Sequence, residues 1–259
     1  MGQTDGTVVV TGAAGSIGSA ISARLAADGR AVLCLDIAAE ELTRVVEEIT
    51  GAGGVARAHV CDVTDRAQIE AAMAVADTMG PFHGLVNNAM RWSSSGELCD
   101  MSEEAWEDDM RILLGSYRSM VSAAASRIGA GGAIVQISSV HGLLASPGWG
   151  PYDVAKAAII QLTRCLATEL GPRGVRVNAI APGIITRDDQ VYRYDEDPEL
   201  RRQHELIAPL RRWGNPRDIA GVVSFLLGPD SGFVTGQTLA VDGGLTGVLQ
   251  LSAVQLQLA

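Results

Sequence analysis

Short, nearly uninterrupted apolar runs alternate along the chain with longer segments in which apolar residues recur every three or four positions. The runs Thr7–Thr11, Ala31–Leu35, Val55–Val60, Gly84–Asn87, Ala133–Ser138, Val175–Ile180 and Thr238–Val241 read as strands. The segments Ser16–Asp28, Glu40–Thr50, Asp65–Met79, Ser102–Arg127, Pro151–Leu170 and Ile219–Leu227 read as helices. Ser102 is a suitable N-cap with Glu103 and Glu104 in the first turn behind it. Gly51, Gly80–Pro81 and Gly171–Pro172 are stop signals. Strands that are apolar on both faces and alternate with helices predict a parallel sheet covered on both sides. Right-handed crossovers make it doubly wound, an α/β Rossmann-type fold with a mostly seven-stranded parallel sheet. No repeat or linker divides residues 1–259, so a single domain is expected. The polar stretch 187–209, with a short helix around Glu199–Ile207, interrupts the alternation after a strand's C-terminal end, where a substrate lid belongs.

Composition narrows the function. The net charge is −10 among 259 residues, which argues against nucleic acid as a partner, because phosphate neutralisation needs a basic surface. No apolar run approaches the roughly 18 residues of a membrane span. The N-terminus has no basic n-region, and a cytoplasmic location is expected. Cys34, Cys61, Cys99 and Cys165 form no C-x-x-C pattern, and the first two fall in strand-like runs, as buried thiols do. His59, His83 and His204 cluster neither with one another nor with acids, so no metal site is expected.

Two motifs carry chemistry. Tyr152 and Lys156 lie four apart on a predicted helix and share one face. A cation beside the phenol favours its anionic form and brings its proton exchange toward neutral pH. The second motif is the turn Thr11-Gly12-Ala13-Ala14-Gly15-Ser16-Ile17-Gly18, between the first strand and the first helix. Glycines there let backbone approach a pyrophosphate, and the helix N-terminus offers free N–H groups. Asp36 closes the second strand, where its carboxylate can accept both hydroxyls of an adenosine ribose and would repel a 2′-phosphate. No cation occurs in the turn, so NAD is preferred over NADP.

Taken with Ser139, thirteen residues before Tyr152, these motifs resemble the short-chain dehydrogenase/reductase family over nearly the whole chain. Asp62–Val63 is similar to the family's adenine-binding pair. Asn87-Asn88-Ala89 is similar to its Asn-Asn-Ala-Gly signature, and Ile137-Ser138-Ser139 to the strand that delivers the serine. Asn178-Ala179-Ile180-Ala181-Pro182-Gly183 is similar to the loop beside the nicotinamide. Matches continue through Arg212-Trp213-Gly214-Asn215-Pro216, Thr235-Gly236-Gln237 and Val241-Asp242-Gly243-Gly244. The resemblance implies that Tyr152 is the general acid for ketone reduction and the base for alcohol oxidation. It also implies that Ser139 hydrogen-bonds the substrate oxygen, and that Lys156 lowers the Tyr152 pKa and holds the nicotinamide ribose. By the same likeness, Gly12, Gly15, Ser16, Ile17, Gly18, Asp36, Asp62, Val63, Asn88, Ala89, Tyr152, Lys156, Pro182, Gly183, Ile185 and Thr186 would contact NAD. A homotetramer is the family's usual assembly.

The chain departs from that pattern at four places. Ser16 stands where the turn usually has Gly or Ala. Met90 replaces the glycine after Asn-Asn-Ala. Thr186 comes one residue earlier than the usual carboxamide-binding threonine, with Arg187 in the expected place. Leu113 stands where the long helix usually carries an asparagine that anchors a water in a proton relay, and no Asn occurs between Asn88 and Asn178. The relay must then be closed by backbone carbonyls or another water. Met90, Trp92, His141, Trp149 and Tyr192 are candidates for the walls of the substrate pocket. The expected activity is NAD-dependent hydride transfer to or from a small secondary alcohol or ketone. The alternatives are reduction of a 3-oxoacyl thioester and a non-catalytic NAD sensor on the same fold.

Overall fold

The computed structural model describes residues 6–91, 97–186, 198–199, 202 and 207–248. Trp92, Arg187, Tyr192, His204 and almost all of the expected lid 187–209 lie outside them. Seven strands form the sheet: β1 (Thr7–Thr11), β2 (Ala31–Asp36), β3 (Val55–Val60), β4 (Phe82–Asn87), β5 (Ala133–Ile137), β6 (Arg176–Pro182) and β7 (Thr238–Val241). They lie in the order β3-β2-β1-β4-β5-β6-β7, and every pairing is parallel. The helices are α1 (Ser16–Ala27), α2 (Ala39–Gly51), α3 (Arg66–Asp77), α4 (Glu103–Met110), α5 (Ser116–Ala124), α6 (Gly150–Leu170) and α7 (Pro216–Leu227). The doubly wound fold expected from the alternation is the one found.

Two large apolar clusters cover the two faces of the sheet. Leu33, Leu35, Leu85, Ile134 and Val177 pack with Met73, Met120 and Leu166 on one side. Val8, Val10, Val32, Cys34, Val86 and Val135 pack with Ile21, Leu25, Val223 and Leu226 on the other. Adjacent residues of β1, β2 and β4 therefore feed opposite clusters, as a strand's period of two dictates. The clusters explain why β1, β2 and β5 are buried along nearly their whole length while β3, at the edge, is mostly exposed. Buried Cys34 and Cys61 and exposed Cys99 and Cys165 are all free thiols.

Helix starts follow side-chain capping where the sequence provides it. Ser102 accepts from the Ala105 N–H, Asp65 caps α3, and Asn215 with Asp218 forms a reciprocal capping box on α7. The predicted helix Ser102–Arg127 is interrupted. A π-turn over Arg111–Gly115 separates α4 from α5, and the Ser116 hydroxyl donates back to Ile112 O at 2.6 Å. Such turns cluster at functional sites, and Leu113 lies in this one. Among the described residues no helix is long and apolar enough to cross a membrane.

Candidate active site

The strand order reverses between β1 and β4, and the crevice at their C-terminal ends is where this fold binds ligands. The first turn is knitted to the fourth strand there. Thr11 Oγ1 accepts the N–H groups of Asn88 and Ala89 at 2.9 and 3.0 Å. The Asn88 amide donates to Thr11 O and Gly12 O at 3.0 and 3.1 Å. Gly12 has φ +65°, and a Cβ on it would lie 2.8 Å from Ala89 Cα. A Cβ on Gly18 would lie 2.0 Å from Gly12 O. These two glycines are required by the protein's own packing. Gly15 is different, since a Cβ there meets nothing closer than Gly12 O at 3.5 Å. It caps α1 without a side-chain hydrogen bond, so the N–H groups of Ser16, Ile17 and Gly18 open the helix with no capping side chain. An uncapped N-terminus behind a glycine with open space fits a dinucleotide pyrophosphate.

Asp36 ends β2 with both carboxylate oxygens anchored. Oδ2 accepts the Ala14 N–H at 3.0 Å and Oδ1 the Ala38 N–H at 3.1 Å. The turn and the acid are thereby held in one geometry, and each oxygen keeps further acceptor capacity. Asp62 is shaped the same way, its Oδ1 accepting from the Thr64 N–H and hydroxyl at 2.8 and 2.7 Å. On the far side, the Gly183 N–H donates to Val241 O at 3.0 Å, and a Cβ on Gly183 would lie 2.7 Å from Asp242 Cα. Ile185 forms an isolated parallel bridge with Gly214, made by Gly214 N–H to Ile184 O and Thr186 N–H to Gly214 O, both 2.9 Å. The bridge leaves the N–H and C=O of Ile185 to other partners. The Thr186 hydroxyl also donates to Gly214 O, at 3.1 Å, so it can face a carboxamide only as an acceptor. A groove of about 700 Å³ is lined by Ser16 and Thr186 together with Ser19, Arg24, Asn215 and Arg217. A second cavity of about 200 Å³, among Ile184, Ile185, Leu210, Trp213 and Val241, contains no triad residue.

The triad assembles at the C-terminal end of β5. Ser139, Tyr152 and Lys156 are 7%, 8% and 1% exposed. The Ser139 hydroxyl accepts the His141 N–H at 3.2 Å and hydrogen-bonds Tyr152. Lys156 Nζ donates to Ile137 O at 2.9 Å and to the Tyr117 hydroxyl at 3.3 Å. The Lys156 carbonyl accepts from the Ser138 hydroxyl at 2.8 Å, which ties α6 to the strand end. Pro151 occupies the first turn of α6, where its missing N–H costs nothing, and so begins the helix just before the tyrosine.

Burial dominates the titration of both groups in the protein alone. It raises the Tyr152 pKa above its ordinary value, with Asp153 adding to the rise and the Ser139 hydrogen bond opposing it. It lowers Lys156 from 10.5 to about 7. In the protein alone the phenol therefore moves up, against the depression expected from the lysine, because burial penalises the phenolate more than the Ser139 hydrogen bond favours it.

His141 and Trp149 come together with Tyr152 in edge-to-face contacts with centroids 5.4 to 5.9 Å apart. Met90 is partly exposed. Leu113 is fully buried and packs with Tyr152 and Ala155. The Lys156 amine rests on the Ile137 carbonyl, and the Leu113 side chain offers it no acceptor. Sequence reasoning missed two participants. Asp153 accepts from the Ser146 N–H and engages His141 Nδ1, both at 2.7 Å. Tyr117 is buried against the lysine. Asp153 was legible only as a first-turn acid, and Tyr117 lies on a helix whose phase the π-turn changes.

A family model described as Enoyl-(Acyl carrier protein) reductase matches residues 12–246. 2-(S)-hydroxypropyl-CoM dehydrogenase 3 of Xanthobacter autotrophicus is 36% identical over 247 residues, 93% of this chain and 96% of that protein. The chain belongs to the short-chain dehydrogenase/reductase family. The 3-oxoacyl-acyl-carrier-protein reductase of Thermotoga maritima is 36% identical over 241 residues, 92% of this chain and 96% of that one. Among solved structures, a blue fluorescent protein from a metagenomic library in complex with NADPH superposes with TM-score 0.84 at 34% identity, covering 93% of this chain and 98% of the other. The protein is thus an oxidoreductase of a family that uses a nicotinamide cofactor.

Proposed function

We propose that the protein transfers a hydride between NAD(H) and a small secondary alcohol or ketone, with Tyr152 as general acid and base. The observation that carries the reaction type is the Ser139–Tyr152 hydrogen bond beside a lysine on the same helix face. A bound nicotinamide cofactor would supply the hydride chemistry, with the oxidised form accepting a hydride from the alcohol carbon and the reduced form supplying one to the ketone carbon. Loss of a hydride and a proton turns the alcohol into the ketone, so a base must remove the hydroxyl proton. In the reverse direction an acid must supply it to the forming alkoxide. Tyr152 is that group. Ser139 donates to the same oxygen and stabilises charge as it develops. Lys156, held against Ile137 O, orients the ribose and supplies positive charge near the phenol. The pyrophosphate would lie against Gly15 and the first N–H groups of α1, with Asn88, Ala89, Pro182, Gly183, Ile185 and Thr186 around the nicotinamide.

Asp36 supports NAD. Its carboxylate is fixed at the end of β2 with Ile37 beside it and no cation among its hydrogen-bond partners. A 2′-phosphate placed there would meet a negative charge. The substrate class is supported by the aromatic wall of His141 and Trp149 and by a relative whose name describes a secondary alcohol. A second reading, reduction of a 3-oxoacyl thioester, is favoured by the Thermotoga relative, and Asp36 weighs against the NADPH that would usually accompany it. Initial rates with NAD and NADP over a panel of secondary alcohols, ketones and a 3-oxoacyl thioester test the proposal. The expected result is turnover of alcohols with a kcat/KM for NAD at least tenfold above that for NADP. A preference for NADPH with the thioester would replace it.

A further inference from the structure

Lys156 presents three N–H donors from a side chain that is 1% exposed, so each needs a partner inside the protein. One goes to Ile137 O at 2.9 Å. A second goes to the Tyr117 hydroxyl at 3.3 Å. That hydroxyl spends its own hydrogen on the same carbonyl, at 2.9 Å, so its lone pairs are left for the ammonium. The direction of every bond in this triangle is therefore fixed. The Tyr117 ring also faces Nζ, its centroid 5.2 Å away, as does the Tyr152 ring at 5.5 Å. Both ring faces favour the charged lysine.

Tyr117 is carried to this position by specific features. The π-turn over Arg111–Gly115 resets the helix phase. Leu113, one turn ahead, then packs on Tyr152 and Ala155 and offers the lysine no acceptor. The Asn87 amide donates to Tyr117 O at 3.1 Å and to the Gln136 side chain at 2.8 Å, which locks this turn of α5 to β4 and β5. A tyrosine is thus clamped, by both backbone and hydroxyl, on the amine that serves the triad.

We propose that Tyr117 is the positioning residue for Lys156: its hydroxyl oxygen holds the ammonium on Ile137 O and so maintains the cation beside Tyr152. This rests on the triad reading above. Among the described residues the titratable groups facing the amine are Tyr152 of its own helix and Tyr117 of α5, with ring centroids 5.5 and 5.2 Å from Nζ; His141 packs on the Tyr152 ring and is bonded to Asp153. The Tyr117 hydroxyl hydrogen-bonds the amine directly. Without its oxygen the charged lysine loses an acceptor and gives up its proton more readily, so less of it is charged at neutral pH.

The test is Tyr117→Phe, which keeps the ring and removes the oxygen. The Lys156 ammonium, the only lysine of the chain, is titrated by NMR of lysine-labelled, cofactor-free protein for wild type, Tyr117→Phe and Lys156→Met, and the pH profile of alcohol oxidation is measured alongside. The signal lost in Lys156→Met identifies Lys156. In Tyr117→Phe its titration should move down by about one pH unit, the equivalent of one charge-assisted hydrogen bond. Oxidation at neutral pH should fall up to about tenfold. A titration left in place would overturn the proposal, as would a loss of rate without any shift. Should Tyr117→Phe not fold, Leu113→Asn decides. With Tyr117 already partnering the lysine, the added amide leaves the titration where it is, whereas a titration that moves up shows an under-partnered lysine and refutes the assignment. The lysine titration needs no turnover, so it stands apart from the triad reading, whose own failure shows as turnover that survives Tyr152→Phe.

Discussion

Lys156 keeps its ammonium where almost no water reaches it, and burial brings its pKa down from 10.5 to about 7. Each pKa unit corresponds to about 1.4 kcal/mol, so at neutral pH the cation costs the folded state about 5 kcal/mol. Lys156→Met keeps most of the side-chain volume and removes the charge. It forfeits two hydrogen bonds, each worth about 1 kcal/mol, while Ile137 O retains the Tyr117 hydroxyl. The net gain is about 2–4 kcal/mol, which raises the melting temperature by roughly 5–10 °C in a chain of this size. The sign with pH follows from proton binding. The unfolded lysine is protonated below 10.5 and the folded one only below about 7, so wild-type stability from this group rises with pH across that window and is flat below it. The advantage of methionine is therefore full at neutral pH and gone above the unfolded pKa. Thermal unfolding of both proteins at neutral pH and at a pH near 10.5 reads the effect, and alcohol oxidation should be lost in the variant. A methionine variant that is less stable at neutral pH, or whose difference from wild type ignores pH, would refute the reasoning.

Other consequences are equally direct. Gly18→Ala forces a methyl onto Gly12 O and should cost roughly 1–3 kcal/mol of stability in urea unfolding, whereas Gly15→Ala should fold normally and weaken NAD binding in a fluorescence titration. Asp36→Ala should reduce the kcat/KM preference for NAD over NADP by about 10–100-fold, as expected for hydrogen bonds to a charged group. Asp153→Asn loosens His141 and the Ser146 N–H together and should raise KM for the alcohol roughly two- to tenfold with a smaller effect on kcat.

The sequence carried most of the architecture because each buried strand is a continuous apolar run, and a run such as Ala31–Leu35 has no other stable use than a sheet covered on both faces. Helical spacing put Tyr152 and Lys156 on one face, while Ser139 and the three roles came only with the resemblance to the family. The π-turn was not legible: Arg111–Gly115 holds no proline, and its accompaniments, Leu113 packed on Tyr152 and Ala155 of α6 and the Ser116 hydroxyl on Ile112 O, are visible only in the fold. Tyr117 was hidden for the same reason, because its phase depends on that turn. Asp153 sits next to Tyr152 in sequence, yet its role depends on a loop that folds back to bring His141 and Ser146 within 2.7 Å. The pKa balance was misjudged because sequence shows which charges are neighbours and not how dry their pocket is.

The central claim is that Tyr152 moves the proton in an NAD-dependent hydride transfer. Its most direct test is NAD binding and steady-state alcohol oxidation in wild type and Tyr152→Phe under the same conditions. Removal of one hydroxyl should leave the dissociation constant for NAD within a few-fold and lower kcat by about 10²–10⁴-fold. Oxidation by Tyr152→Phe at a rate close to wild type would contradict it.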